Sequence, residues 1–126
     1  MTTEDNRRCF PPNCPIIVCL CGSTRFLDTF RQVHRKEALA GHIVLSVECI
    51  TTADHELQEY DPQTKARLDQ LHLRQIELAE EVLVLNVNDY VGESTAKEIQ
   101  YARSLGKRIR WLEPHRFVFG AKVEDA

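Results

Sequence analysis

Apolar residues in this chain fall into short unbroken runs separated by longer stretches with a helical repeat. The first run is Ile16-Ile17-Val18-Cys19-Leu20-Cys21 and the second is Val82-Leu83-Val84-Leu85-Asn86-Val87. Both read as strands buried on two faces. After the first, a turn at Gly22-Ser23 leads into a predicted helix over residues 24–40, with Phe26, Phe30, Val33 and Leu39 among its apolar positions and Gly41 as its stop. A short strand over residues 43–47 follows. A second helix over residues 64–80 carries a broken stripe of Leu68, Leu71, Ile76 and Leu78. A third helix over residues 95–105 ends at Gly106, and a strand over residues 108–112 stops before Pro114. Phe117-Val118-Phe119 offers a short fifth strand at one edge.

Strands alternating with helices predict an α/β fold: a three-layer flavodoxin-like or Rossmann-like domain with a mostly parallel four- to five-stranded sheet flanked by helices. Residues 1–15, with Pro11, Pro12 and Pro15, read as an irregular arm. Residues 16–119 form the single α/β domain, and residues 120–126 a tail. The acidic stretch over residues 48–63, holding Asp54, Glu56, Glu59 and Asp61, is long for a loop in a compact domain, and such loops are usually functional or mobile.

Composition narrows the partners. A chain of 126 residues suits one domain and buries roughly two-thirds of its unfolded surface. A formal net charge of −3 argues against a nucleic-acid polymer as partner. No apolar run reaches membrane-span length, and the start of the chain lacks a secretory apolar core, so a cytoplasmic protein with no membrane partner is expected. The cysteines, Cys9, Cys14, Cys19, Cys21 and Cys49, are odd in number, which argues against a closed disulfide framework. Strand alternation turns Cys19 and Cys21 to one face as small buried thiols. A zinc site built from this pair with Cys9 and Cys14 matches no common ligand spacing, and His34, His42, His55 and His115 show none either. No metal and no organic cofactor is expected.

Candidate chemistry lies in the two loops that follow the apolar strands. In Gly22-Ser23-Thr24-Arg25, glycine permits a tight turn and close approach of a ligand, Ser23 and Thr24 supply hydroxyls, and Arg25 supplies a planar guanidinium. Together with free N–H groups at a helix start, these are the parts of a phosphate cradle. Plain capping by Ser23 or Thr24 is the competing reading, although it leaves Arg25 unexplained, since a cation is unfavourable near a helix N-terminus. The second loop, Val91-Gly92-Glu93-Ser94, opens the third helix and leads to Glu98 in its first turn. A carboxylate there faces the crevice at the carboxyl ends of the strands. Thr95-Ala96-Lys97-Glu98 also fits a capping box, in which Thr95 caps the helix and Glu98 folds back to the backbone. Spacing alone leaves both readings of Glu98 standing.

The string Cys21-Gly22-Ser23-Thr24-Arg25, then Ala79-Glu80-Glu81-Val82-Leu83-Val84-Leu85-Asn86, then Gly92-Glu93-Ser94 with Glu98-Ile99-Gln100-Tyr101-Ala102 and Gly106-Lys107, resembles the nucleoside 2-deoxyribosyltransferase-like superfamily. That group includes relatives that hydrolyse nucleoside 5′-monophosphates. The resemblance spans about residues 16–112. It implies that Glu98 attacks the anomeric carbon and displaces the base, forming a glycosyl-enzyme that water or another base resolves. It implies phosphate binding by Gly22, Ser23 and Arg25, with Thr24 added, and phosphate or sugar contacts from Ser94 and Thr95 beside Gly92. Two departures stand out. A tyrosine common near the end of the first strand is Cys19 here, and the aspartate that handles the leaving base's proton falls at His72, with Asp69 one turn earlier. His72 or Asp69 is therefore the candidate general acid, and Asp89 a sugar-contact candidate.

These readings imply cleavage of the N-glycosidic bond of a nucleoside 5′-monophosphate, with a small-molecule nucleotide or nucleoside as partner and a homodimer by resemblance. The alternatives are a deoxyribosyltransferase exchanging bases on free nucleosides, and a non-catalytic nucleotide-binding or sensing module.

Overall fold

Residues 15–46 and 61–114 are described by the computed structural model. They form β1 (Ile17–Cys21), α1 (Leu27–Leu39), β2 (Ile43–Leu45), α2 (Pro62–Leu78), β3 (Glu81–Val84), α3 (Glu93–Ser104) and β4 (Arg108–Trp111). Single 3-10 turns at Thr24–Phe26 and Val87–Asp89 lead out of β1 and β3. The expected arm and tail, the strand at residues 117–119 and nearly all of the acidic loop lie outside the described residues.

All four strands are parallel, in the order β2-β1-β3-β4. The chain passes from β1 to its neighbour on one side and then returns to its neighbour on the other. Strand order therefore reverses between β1 and β3, and the crevice of an open α/β sheet opens at the carboxyl ends of those two strands. The period of two along the strands decides the layers. Val18 and Leu20 of β1, with Leu83 of β3 and Leu85 beyond it, pack under Phe30 and Val33 of α1. Cys19 and Cys21, with Val82 and Val84, face the opposite layer, where Ile76 of α2 and Ile99 and Ala102 of α3 cover them. The result is a three-layer α/β fold.

Helix boundaries differ from the sequence expectation where capping decides them. Asp61 caps α2 by accepting from the backbone N–H of Thr64 at 2.7 Å, and Pro62 follows at the first helical position. The helix consequently begins two residues before the apolar repeat suggested. Its buried side is His72 and Ile76, one turn apart, whereas Leu71 and Leu78 are 50% and 67% exposed. Leu39 of α1, counted among that helix's apolar positions, is also exposed. β3 ends at Val84 rather than Val87, because the chain turns through Asn88 and Asp89 at φ 54° and 64°.

At the amino end of β3 lies a closed ion network on the α1 side of the sheet. Arg110 of β4 donates from Nε to Glu81 Oε1 at 2.6 Å and from Nη2 and Nη1 to the two oxygens of Glu37 at 2.7 and 3.3 Å. His42 Nδ1 lies 2.7 Å from Glu37 Oε1, and Arg108 Nη1 reaches Glu81 Oε2 at 3.4 Å. Burial alone would raise Glu37, but the hydrogen bonds from Arg110 and His42 outweigh it and hold the carboxyl below its usual range. Among the described residues, no helix is long and apolar enough to cross a membrane.

Candidate active site

The third helix begins at Glu93, with Gly92 at its N-cap and no side chain capping it. Thr95 is thus inside the first turn and buried, and Glu98 sits in the second turn instead of the first. The capping-box geometry is not formed. Glu98 instead reaches across to α2, where its Oε2 lies 3.0 Å from Nδ1 of buried His72. Its other oxygen, Oε1, is buried without a hydrogen-bond partner among the described residues.

His72 is held from the sheet side as well. Its Nε2 lies 3.2 Å from the carbonyl oxygen of Leu20, 3.5 Å from Cys19 Sγ and 3.8 Å from Cys21 Sγ. A backbone carbonyl can only accept, and so can an ionised carboxylate; with Glu98 ionised, both ring nitrogens therefore carry hydrogen and the ring is an imidazolium. Burial opposes that charge. The hydrogen bonds to Cys19 and Glu98 and their negative charge overcome it, lifting His72 to about 10. Cys19 moves the other way. A hydrogen bond from Cys21 and the facing imidazolium outweigh burial and lower its thiol to about 6, while Cys21, hydrogen-bonded to Cys19 and fully buried, is pushed up. The two thiols and the imidazole bring their ligand atoms within 4.8 Å of one another.

The loop after β1 is spent partly on local structure. Ser23 Oγ accepts from the backbone N–H of Arg25 at 3.2 Å, so it caps the 3-10 turn, as the capping reading had it. A Cβ on Gly22 would meet Cβ and the carbonyl oxygen of Leu85 at 3.0 and 3.3 Å. A side chain there would crowd the residue that follows β3, so packing favours glycine before any ligand is considered. Arg25 is exposed, and its guanidinium lies over the ring of Tyr90, 4.7 Å from the centroid. Tyr90 also meets Phe26 edge-on at 6.0 Å, which joins the loops after β1 and β3.

The remaining candidates divide. Asp89 lines an open hollow of about 440 Å³ with Asn88, Glu113 and Pro114, next to the carboxyl end of β3. Asn86 fixes this wall, donating to the Glu113 carbonyl at 2.8 Å and accepting from the Glu113 N–H at 2.9 Å. Ser94 is exposed on the first turn of α3. Asp69 lies on the solvent face of α2, paired with Lys65 at 3.0 Å, and the structure does not bring it to Glu98. Of the sequence candidates, Glu98 and His72 are brought together. Tyr90 and the His72-facing role of Cys19 and Cys21 escaped the sequence reading. A Cys-X-Cys pair at the end of the strand flanking the switch point was the available signal for the thiols; for Tyr90 there was none.

No family model matches the chain, and no curated protein does. A solved structure of the 2-deoxyribosyltransferase from the psychrotolerant bacterium Bacillus psychrosaccharolyticus superposes with a TM-score of 0.58 at 19% identity, covering 86% of this chain and 80% of that one. The chain has a deoxyribosyltransferase-like fold.

Proposed function

We propose that this protein cleaves the N-glycosidic bond of a nucleoside 5′-monophosphate, with Glu98 as nucleophile. One observation carries the reading: the Glu98 carboxylate on α3 is held through Oε2, 3.0 Å from Nδ1 of buried His72, while Oε1 has no hydrogen-bond partner among the described residues. A carboxylate oriented through one oxygen presents the other to an anomeric carbon. Attack by Oε1 forms an ester to the sugar carbon as the bond to the base breaks with its electron pair. Water then adds its hydroxyl to the anomeric carbon, and the ester bond breaks to regenerate the carboxylate. The proton given up by the water balances the one that the departing base takes from solvent, so the products are free base and sugar phosphate. His72 acts as a positioning residue, since both its ring nitrogens are already engaged by the protein. The 2-deoxyribosyltransferase neighbour favours a nucleoside-type substrate. Exposed Arg25, the hydroxyls of Thr24 and Ser94 and the uncapped start of α3 offer groups for a 5′-phosphate. Asp89, at the wall of the neighbouring hollow, is the proposed sugar contact.

Incubation with a panel of ribo- and deoxyribonucleoside monophosphates, followed by chromatography, tests this. Free base and sugar phosphate are expected, and no base released from any nucleotide or nucleoside would refute it. The same neighbour supports a second reading, base exchange on free nucleosides. An added acceptor base separates the two, because transfer yields a new nucleoside and hydrolysis does not.

A further inference from the structure

We propose that Cys19, Cys21 and His72 form a zinc-binding site, with Glu98 as the carboxylate behind the histidine. The site shares His72 and Glu98 with the glycosidic reading, but metal binding is read without substrate, so either can fail alone. Its ligand set differs from the Cys9 and Cys14 arrangement that the sequence spacing argued against. Its geometry begins with β1, whose alternation puts two thiols on one face of the sheet, both free and buried. Helix α2 lays His72 over them with Nε2 at 3.5 Å from Cys19 Sγ and 3.8 Å from Cys21 Sγ.

Zinc binds thiolate at about 2.3 Å and imidazole at about 2.0–2.1 Å, so an S-to-N edge of its tetrahedron is roughly 3.6 Å. The two distances lie within about 0.2 Å of that edge, and the two sulfurs are within 4.8 Å of each other. Two thiolates and an imidazole favour zinc over the hard cations magnesium and calcium, and the two thiolates neutralise its charge within the core. A protein-bound zinc leaves the fourth position to water in many three-ligand sites.

The other side of the ring supplies an independent observation. Metal-ligating histidines regularly donate their second ring N–H to a carboxylate, which fixes tautomer and orientation. His72 does this through Nδ1, 3.0 Å from Glu98 Oε2. Zinc on Nε2 would replace the hydrogen that otherwise faces the Leu20 carbonyl at 3.2 Å, so the imidazolium and zinc-bound states exclude each other.

Cobalt(II) titration of the full-length, reduced chain tests the site, because tetrahedral thiolate ligation gives near-ultraviolet charge-transfer bands and intense visible bands. A variant carrying Cys9→Ser, Cys14→Ser and Cys49→Ser keeps Cys19 and Cys21 as its thiols. It is expected to bind one cobalt per chain with both sets of bands, and zinc should displace the cobalt. In that background, Cys21→Ser should abolish most of the charge-transfer intensity. Glu98→Gln keeps all three ligands and should weaken zinc binding about tenfold or more, through the lost carboxylate. Circular dichroism checks that each variant is folded, and Glu98→Gln provides the reading if Cys21→Ser is not. Absence of thiolate bands in the background variant overturns the proposal. So does unchanged zinc affinity in Glu98→Gln.

Discussion

The buried carboxylates of Glu37 and Glu81 and the half-buried carboxylate of Glu98 are treated in opposite ways. At the amino end of β3, Glu37 and Glu81 are met by Arg110, Arg108 and His42, and every oxygen of the two carboxylates has a partner. Near the carboxyl end of β1, Glu98 has one oxygen on His72 and the other without a hydrogen-bond partner among the described residues. Leaving a buried carboxylate oxygen unmatched costs free energy, so a network with full pairing speaks of structure and one without it speaks of a ligand or a reaction. The difference also follows the sheet. The closed network lies at the end of the strands where open α/β folds do not bind ligands, and the open one lies beside the switch point.

Exchanging charge for amide at each place should separate the two roles most sharply. Glu98→Gln is expected to lower any glycosidic activity by about three orders of magnitude or more while leaving stability within about 1 kcal/mol. Glu37→Gln should do the reverse, costing about 1–3 kcal/mol in urea denaturation with base release per folded molecule unchanged. A Glu98→Gln protein of full activity would erase the contrast.

Removing Arg110 attacks the closed network at its centre. Arg110→Ala strands Glu37 and Glu81 without their shared guanidinium and should cost about 3–5 kcal/mol, read from the shift of the urea midpoint. A loss under about 1 kcal/mol would mean that the network relaxes into water when opened.

Acid provides a gentler probe of the same region. The Glu37 carboxyl is held below its unfolded value of 4.5, so its contribution to stability is present above that value and is lost as pH falls through the lower folded value. The slope of stability against pH below about 4.5 should therefore flatten in Glu37→Gln. Equal slopes in the two proteins would assign the acid loss to other groups.

The smallest effect is expected at Asp69, where exposed pairing with Lys65 is all that the structure shows. Asp69→Asn should change stability by less than about 0.5 kcal/mol and leave base release unaltered. A large fall in activity would instead make Asp69 the acid that serves the leaving base.

Much of the fold was legible because it rests on local rules. Unbroken apolar runs flanked by turn residues marked β1 and β3, and alternation along β1 correctly turned Cys19 and Cys21 to one face. Gly41 and Gly106, both at positive φ, closed the helices where expected. The failures share one cause. Leu39, Leu71 and Leu78 looked like core by hydrophobicity but lie outside it, whereas His72 is inside because the sheet and α3 provide partners for its two nitrogens.

Glu98 shows the same divide. Its sequence spacing from Thr95 allowed a cap or a cleft residue, and nothing within the helix could choose between them. The choice came from α2, which meets α3 over β1 and brings a buried imidazole to the carboxylate. Sequence by itself determined the strands, the parallel α/β architecture and the loops where chemistry could lie, since period and turn chemistry act over a few neighbouring residues. Tertiary structure alone decided which polar side chains meet, because residues 72 and 98 are joined only after separate helices pack on one face of the sheet.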